Sequence, residues 1–361
     1  MKTTIPLTQP CMPDREKLDA YLDGIYERKW LTNNGPLVQE LTRRLEDYLG
    51  VENILLVANG TLALQVAYAA LGISQEAVTS PFTFAATPGS LARQGITPRF
   101  ADIDESTFNL DPNAVEESLT DRTQAIVPVH VYGNPCEDEA LQKVAIEHGL
   151  KLVYDAAHAF GITYRGESVL KCGDAATLSF HATKLFHTVE GGAMVFRRKE
   201  DLERARSLIN FGLGDGHFGG LQEPGINAKM SEVHAAFGLA QLDIIDDIIE
   251  HRVQITEHYR QLLGGYVTFQ QRAGSENGAY MPIVLPTEIE VETVEKELST
   301  EGIHTRRYFS PALHETEAYG TEEECPVASD ISRRVLCLPI HAGLSYQQVE
   351  RVSQRLIQAI E

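Results

Sequence analysis

The chain has no C-x-x-C pair, and its five cysteines (Cys11, Cys136, Cys172, Cys325 and Cys337) are odd in number and scattered. That argues against a disulfide framework and against structural zinc, and favours a reduced, cytoplasmic protein that needs no metal. No run of about 18 uncharged apolar residues occurs, which excludes a membrane-spanning helix. The opening MKTTIPLTQPCMPDREKLD lacks an apolar stretch of signal-peptide length. Positive charge is in deficit: 31 Lys and Arg stand against 51 Asp and Glu, a net charge of -20. Such a surface repels nucleic acid and anionic membranes, although a local basic pocket can still hold a small anion. Internal repeats, low-complexity runs and long linkers are also missing.

What is present is an ordinary globular composition, 43% hydrophobic and 23% charged, in 361 residues. That length suits a large domain with a smaller one. The stretch 35–50, GPLVQELTRRLEDYLG, places Val38, Leu41, Leu45 and Leu49 on one helical stripe. Short apolar runs at 53–57, 77–80, 98–102, 125–129, 151–155, 176–180 and 193–196 read as strands, most of them separated by helical patterns. Strands apolar on both faces and alternating with helices predict an α/β fold with a mostly parallel, covered sheet. A long helix is expected from about 229 to 249. Beyond it the pattern changes to YVTFQ, AYMPIVL, a helix, LCLPI and a final helix. The expected division is a large domain over 1–250 and a small α+β domain over 251–361.

Several chemically distinctive residues fall just past strand ends, where open α/β sheets bind ligands. Gly60 and Thr61 follow the first strand, Phe82 and Phe84 the second; Asp155 closes the fifth, and Lys184 follows 176–180. Each has a plain structural reading. Asn59-Gly60-Thr61 reads alone as a turn and helix cap before it reads as a phosphate-binding helix end. Phe84 reads alone as core, His158 as a satisfied polar residue, and Lys184 as a snorkelling surface lysine. Asp155 could cap a helix, yet an acid ending an apolar strand is costly to bury unpaired.

One cofactor uses all of them together. Pyridoxal phosphate takes a lysine for its Schiff base, a carboxylate for its ring nitrogen, N–H groups and hydroxyls for its phosphate, and a flat side chain against its ring. In SFHATKLFHTVEGG (179–192) the Ser179 hydroxyl lies near Lys184, and Gly191-Gly192 would let the backbone pass close to a ligand.

At this point the chain resembles a known family, the sugar-nucleotide aminotransferases of pyridoxal phosphate fold type I called DegT or StrS. The resemblance covers nearly the whole chain through WLTNNGP (30–36), NGTLAL (59–64), SPFTF (80–84), FADID (100–104), VHVYGNP (129–135), DAAHAFG (155–161), SFHATK (179–184) with EGG (190–192), GINAKMSEVHAAFGLAQL (225–242) and CLPIHAGLS (337–345). It implies an aspartate aminotransferase-like fold, Lys184 as the Schiff-base lysine, Asp155 at the ring nitrogen, His158 near the ring hydroxyl and Phe84 stacked on the ring. Gly60, Thr61 and Ser179 would meet the phosphate. It also implies a homodimer with shared active sites, in which Asn227 crosses to the neighbour's phosphate. The family often carries an aromatic and an arginine after that asparagine; here Ala228 and Lys229 stand there, and lysine is a point charge without arginine's planar fork.

Glu190 before the paired glycines resembles relatives that aminate carbon 4 of the sugar. The implied reaction moves an amino group from L-glutamate to dTDP-4-keto-6-deoxyglucose, giving dTDP-4-amino-4,6-dideoxyglucose for surface polysaccharide such as O-antigen. Another nucleotide-linked keto sugar, aminated at carbon 3 or UDP-linked, stays open. So does a protein that retains the cofactor without catalysis, which would be yellow but indifferent to every amine. His187, Lys229, Arg306, Arg307 and His341 are the candidates for binding the substrate diphosphate.

Overall fold

The computed structural model describes residues 4–214, 220–287, 289–319 and 323–361. In chain order its strands are β1 (Ile54–Val57), β2 (Glu76–Thr79), β3 (Thr97–Phe100), β4 (Thr123–Val127), β5 (Lys151–Asp155), the short ribbon β6 (Thr163–Tyr164) and β7 (Glu167–Ser168), β8 (Ala175–Ser179), β9 (Gly192–Phe196), β10 (Thr268–Phe269), β11 (Pro282–Val284) and β12 (Val335–Cys337). Seven of them form one sheet in the order β1-β9-β8-β5-β4-β2-β3. Only β9 runs against its neighbours; the other pairings are parallel. Each expected strand of the large sheet is present, shifted by a residue or two at its ends.

Both faces of this sheet are covered, and the strand period of two divides its side chains between them. Leu152 and Tyr154 pack with the helices Pro36–Leu49 and Glu232–Leu242. Val153, between them, packs with Gly60–Ala70 and Lys199–Leu208 on the other side. The small residues Ala63, Ala67 and Ala70 let Gly60–Ala70 lie close against the sheet.

The motif WLTNNGP is a helix entry. Asn33 and Asn34 take φ of 62° and 56°, a region asparagine tolerates. Pro36 opens the helix Pro36–Leu49, whose Gly35 N-cap offers no side chain. The cap comes from 195 residues away: Glu232, 0% exposed, accepts from Leu37 N (2.9 Å) and Val38 N (2.9 Å). A Cβ on residue 35 would lie 2.5 Å from the Glu232 carboxyl carbon, so glycine is needed there. Glu232→Ala strands two buried N–H groups and is expected to lower unfolding free energy by about 2–4 kcal/mol, read from the shift in urea midpoint. Asp102 of FADID plays a similar part, accepting from Val327 N and Ala328 N at the start of the helix Pro326–Arg334.

The long helix expected at 229–249 is two helices, Glu232–Leu242 and Ile245–Leu263. The first begins only at its Ser231 N-cap, because Lys229 is bridged to Val57 in extended conformation. The break falls at Asp243, whose carboxylate is pinned by Arg44 (2.7 Å) and Lys17 (3.0 Å). The boundary expected near 250 lies inside the second helix. Ile245 and Ile248 of that helix pack in the large core, while Ile255, Tyr259 and Leu263 pack with the antiparallel sheet β10-β11-β12 and the helices Val291–Thr300 and Tyr346–Ile360. Ile5, from the other end of the chain, joins this second cluster. Among the described residues no helix is long and apolar enough to cross a membrane.

Candidate active site

The parallel pairing delivers the ends of β1, β2, β4, β5 and β8 to one edge of the sheet. The start of antiparallel β9 comes to the same edge, with Gly192 in register with Val57 on one side and Ser179 on the other. A cleft of about 780 Å³ opens there, lined by Gly60, Thr61, Phe84, Asp155, His158, Ser179 and Lys184, with Tyr280, Arg306 and Tyr308 facing them from the C-terminal part. That volume is in the range of small-molecule and cofactor sites.

The backbone at the cleft floor is packed too closely for side chains. A Cβ on Gly192 would lie 2.5 Å from the carbonyl carbon of Asn59, and one on Gly60 would lie 2.8 Å from the Ser179 Cβ. Asn59 caps the helix Gly60–Ala70 by accepting from Leu62 N (2.9 Å). The positive end of that helix, with Gly60 and Thr61 in its first turn, therefore opens beside the Ser179 hydroxyl, an arrangement suited to a phosphate.

Asp155 is buried. Its carboxylate accepts from the Thr87 hydroxyl (2.8 Å) and from Ala157 N (3.1 Å). Among the described residues no cation forms a salt bridge with it. Burial pushes its carboxyl above the usual range, against the pull of those two hydrogen bonds and of the Lys184 charge. His158 is buried beside it, and its Nδ1 accepts from Tyr132 N (3.2 Å), which leaves the hydrogen of the neutral ring on Nε2. Desolvation first, then the Lys184 charge, holds this imidazole well below its ordinary pKa, so it stays neutral. Phe84 is 55% exposed and presents a free ring to the cleft, whereas Phe82, two residues earlier, is 0% exposed among Phe108, Tyr132 and Phe309. Lys184 is half-buried in the turn after β8 and donates from Nζ to the Tyr280 hydroxyl at 3.2 Å.

Of the residues expected at the substrate diphosphate, only Arg306 lines this cleft; its guanidinium lies 4.8 Å from the Tyr308 ring centre. The others lie outside the lining of this chain's cleft. His187 is buried, with Nε2 against the Cys11 carbonyl (2.8 Å) and Nδ1 accepting from Val189 N. Arg307 pairs with Glu292 and donates to the Ser332 and Arg333 carbonyls. His341 is buried in the turn after β12, away from the cleft lining. Lys229 donates to Asn210 Oδ1 (3.0 Å) and lines a separate pocket with Asn33, Asn34 and Phe211. Asn227 is exposed, bridged through its backbone to Asn210, and does not reach its own chain's cleft. Sequence reasoning missed Thr87, His181 and Tyr280. His181 lay within SFHATK, a motif already singled out. Thr87 falls one helical turn beyond Phe84. Tyr280 carried no local signal at all.

A family model described as the DegT/DnrJ/EryC1/StrS aminotransferase family matches residues 13–357. The chain belongs to this family. It is a pyridoxal-phosphate-dependent aminotransferase. Among family members, it is 43% identical to a dTDP-4-amino-4,6-dideoxy-D-glucose transaminase of Shigella dysenteriae, over 98% of both chains. It is 38% identical to an Escherichia coli protein of the same name, again over 98% of both. The structure of DesI determined with its TDP-sugar product superposes with a TM-score of 0.95 at 38% identity, covering 100% of this chain and 94% of that one.

Proposed function

We propose that the chain transfers the amino group of L-glutamate to carbon 4 of dTDP-4-keto-6-deoxyglucose, forming dTDP-4-amino-4,6-dideoxyglucose. The observation that carries this reading is the full-length similarity to relatives bearing that activity in their names, joined to a cleft that holds a lysine, a buried carboxylate and a helix end within one lining. The product is an amino sugar activated for transfer, which fits a cytoplasmic step supplying surface polysaccharide such as O-antigen.

The residues fit the cofactor. The buried Asp155 carboxylate lacks a salt-bridge partner among the described residues, and a protonated ring nitrogen would complete it. Gly60, Thr61 and Ser179 would take the phosphate at the helix end, Phe84 would cover one face of the ring, and His158 Nε2–H would donate to its ring hydroxyl. Pyridoxal phosphate supplies a carbonyl carbon and an electron-accepting ring. Lys184 would hold the cofactor and, once freed as an amine, would move a proton between the substrate carbon that bears the nitrogen and the cofactor's carbonyl carbon within each half of the reaction, in opposite directions in the two halves. Asp155 would keep a proton on the ring nitrogen. Arg306 is the one guanidinium in the described cleft lining, placed to bind the diphosphate or the donor's carboxylate. The protein acts as a homodimer in this reading. Asn227, exposed, and Lys229, half-buried, lie outside the lining of their own cleft and are available to the neighbour's.

The test is NMR of the product formed from dTDP-4-keto-6-deoxyglucose, L-glutamate, pyridoxal phosphate and the protein. The expected result is an equatorial amine at carbon 4. Failure to form product while glutamate still bleaches the yellow protein would overturn the acceptor and retain the aminotransferase.

A further inference from the structure

The one hydrogen bond made by Lys184 Nζ in the described structure goes to a residue 96 positions away, the hydroxyl of Tyr280, at 3.2 Å. Among the described residues no carboxylate pairs with this amine. The phenol oxygen occupies one N–H direction of the amine.

The ring that carries this hydroxyl is held on several sides. His158 packs edge-on at 4.6 Å between centroids, Tyr308 at 5.8 Å and 90°, and Tyr132 at 5.5 Å. The backbone leading to it is clamped as well. Asn277, buried, donates from Nδ2 to the His158 carbonyl (3.1 Å) and the Phe160 carbonyl (3.0 Å), and accepts from Ala279 N (2.9 Å). Arg252, 5% exposed, donates from Nε to the Gly278 carbonyl (2.8 Å) and from Nη2 to the Ala279 carbonyl (3.0 Å). It has no carboxylate partner among the described residues, and burial lowers its pKa to about 10. Gly278 has φ of +60°, and a Cβ there would lie 2.6 Å from the Arg252 Cβ. Burying an arginine and an asparagine is expensive unless their hydrogen bonds are used. Here they are used to hold three residues of backbone that end at Tyr280. A reacting group is effective only when its supports restrict it to a fraction of an ångström.

We propose that Tyr280 is a positioning residue for Lys184. Its hydroxyl accepts one Nζ–H and so aims the amine's lone pair into the cleft, at the carbon whose proton Lys184 must move. The inference rests on the role given to Lys184 under the proposed function.

The test is Tyr280→Phe, which keeps the ring and its neighbours and deletes one oxygen. Two quantities are read: kcat with KM for each substrate, and the rate at which cofactor-free protein captures added pyridoxal phosphate, followed by absorbance. Capture needs no sugar or glutamate, so it reports on the hydroxyl even where the assigned acceptor is wrong. The expected result is a fall in kcat and in capture rate of about tenfold or more, with each KM within twofold and an unchanged melting temperature. Tyr280→Leu, which also removes the ring, is the companion variant. Parental kcat and capture rate in Tyr280→Phe, with loss only in Tyr280→Leu, would overturn the proposal and leave the ring as mere packing. A loss expressed in KM alone would overturn it too.

Discussion

Lys184→Ala folds, still retains pyridoxal phosphate, and turns over at least about a thousandfold more slowly than the parent, within the range set by a positioned acid–base group that also serves as nucleophile. The retention follows from geometry. The helix end at Gly60–Thr61 and the Ser179 hydroxyl are built by β1, β8 and β9 and do not depend on the lysine side chain. Folding is spared because Lys184 is half-buried in a turn, with one polar contact from Nζ and no place in the apolar clusters. Arg306, the other Lys or Arg of the described lining, cannot substitute, since a guanidinium stays protonated and is no base at neutral pH. The measurement pairs steady-state rate with the absorbance of cofactor that survives gel filtration. Turnover within tenfold of the parent would remove Lys184 from its role; loss of both cofactor and activity would show that the phosphate contacts alone do not hold it.

Asp155→Asn is expected to lower kcat by roughly 10²–10³-fold, the range found when a preorganised electrostatic contact is deleted, while the cofactor-free protein melts at the same temperature or higher. The two halves have one cause. Burial raises the carboxyl pKa of Asp155 because the charged form is poorly solvated there, and two hydrogen bonds offset that only in part. An amide of the same shape removes the buried charge. It keeps one good acceptor for Ala157 N or the Thr87 hydroxyl, but it cannot hold a proton on a ring nitrogen. Stability and activity therefore move in opposite directions, as expected where a site is tuned for function at the expense of the fold. Calorimetry of the cofactor-free protein beside kcat checks both. A large loss of stability would make Asp155 a structural cap; an unchanged kcat would place the electron-accepting ring elsewhere.

The two variants probe residues that could be found without coordinates, and the reason is local. An apolar run closed by an acid, as in KLVYD, marks both a buried strand and its end. When strands alternate with helices their ends must share an edge, so Gly60, Asp155, Ser179 and Lys184 could be placed together from spacing alone. The long helix at 229–249 was harder. Its apolar spacing runs on through Asp243, and only the pairing of that carboxylate with Arg44 and Lys17 marks the break. The capping of Pro36–Leu49 by Glu232 was equally silent, because a cap supplied from 195 residues away leaves no trace beside the helix it serves.

The sequence by itself determined the sheet and the edge where Lys184 and Asp155, its candidates for the lysine and the carboxylate, come together, because these depend on periods of two and 3.6 residues and on short-range turn chemistry. Only the tertiary structure decided which cations face the cleft. It kept Arg306 and turned His187, Arg307 and His341 to carbonyls, carboxylates or the interior. It also brought Thr87 to Asp155 and Tyr280 to Lys184. A side chain's direction at such positions is set by what packs around it from distant parts of the chain, and no local pattern carries that information.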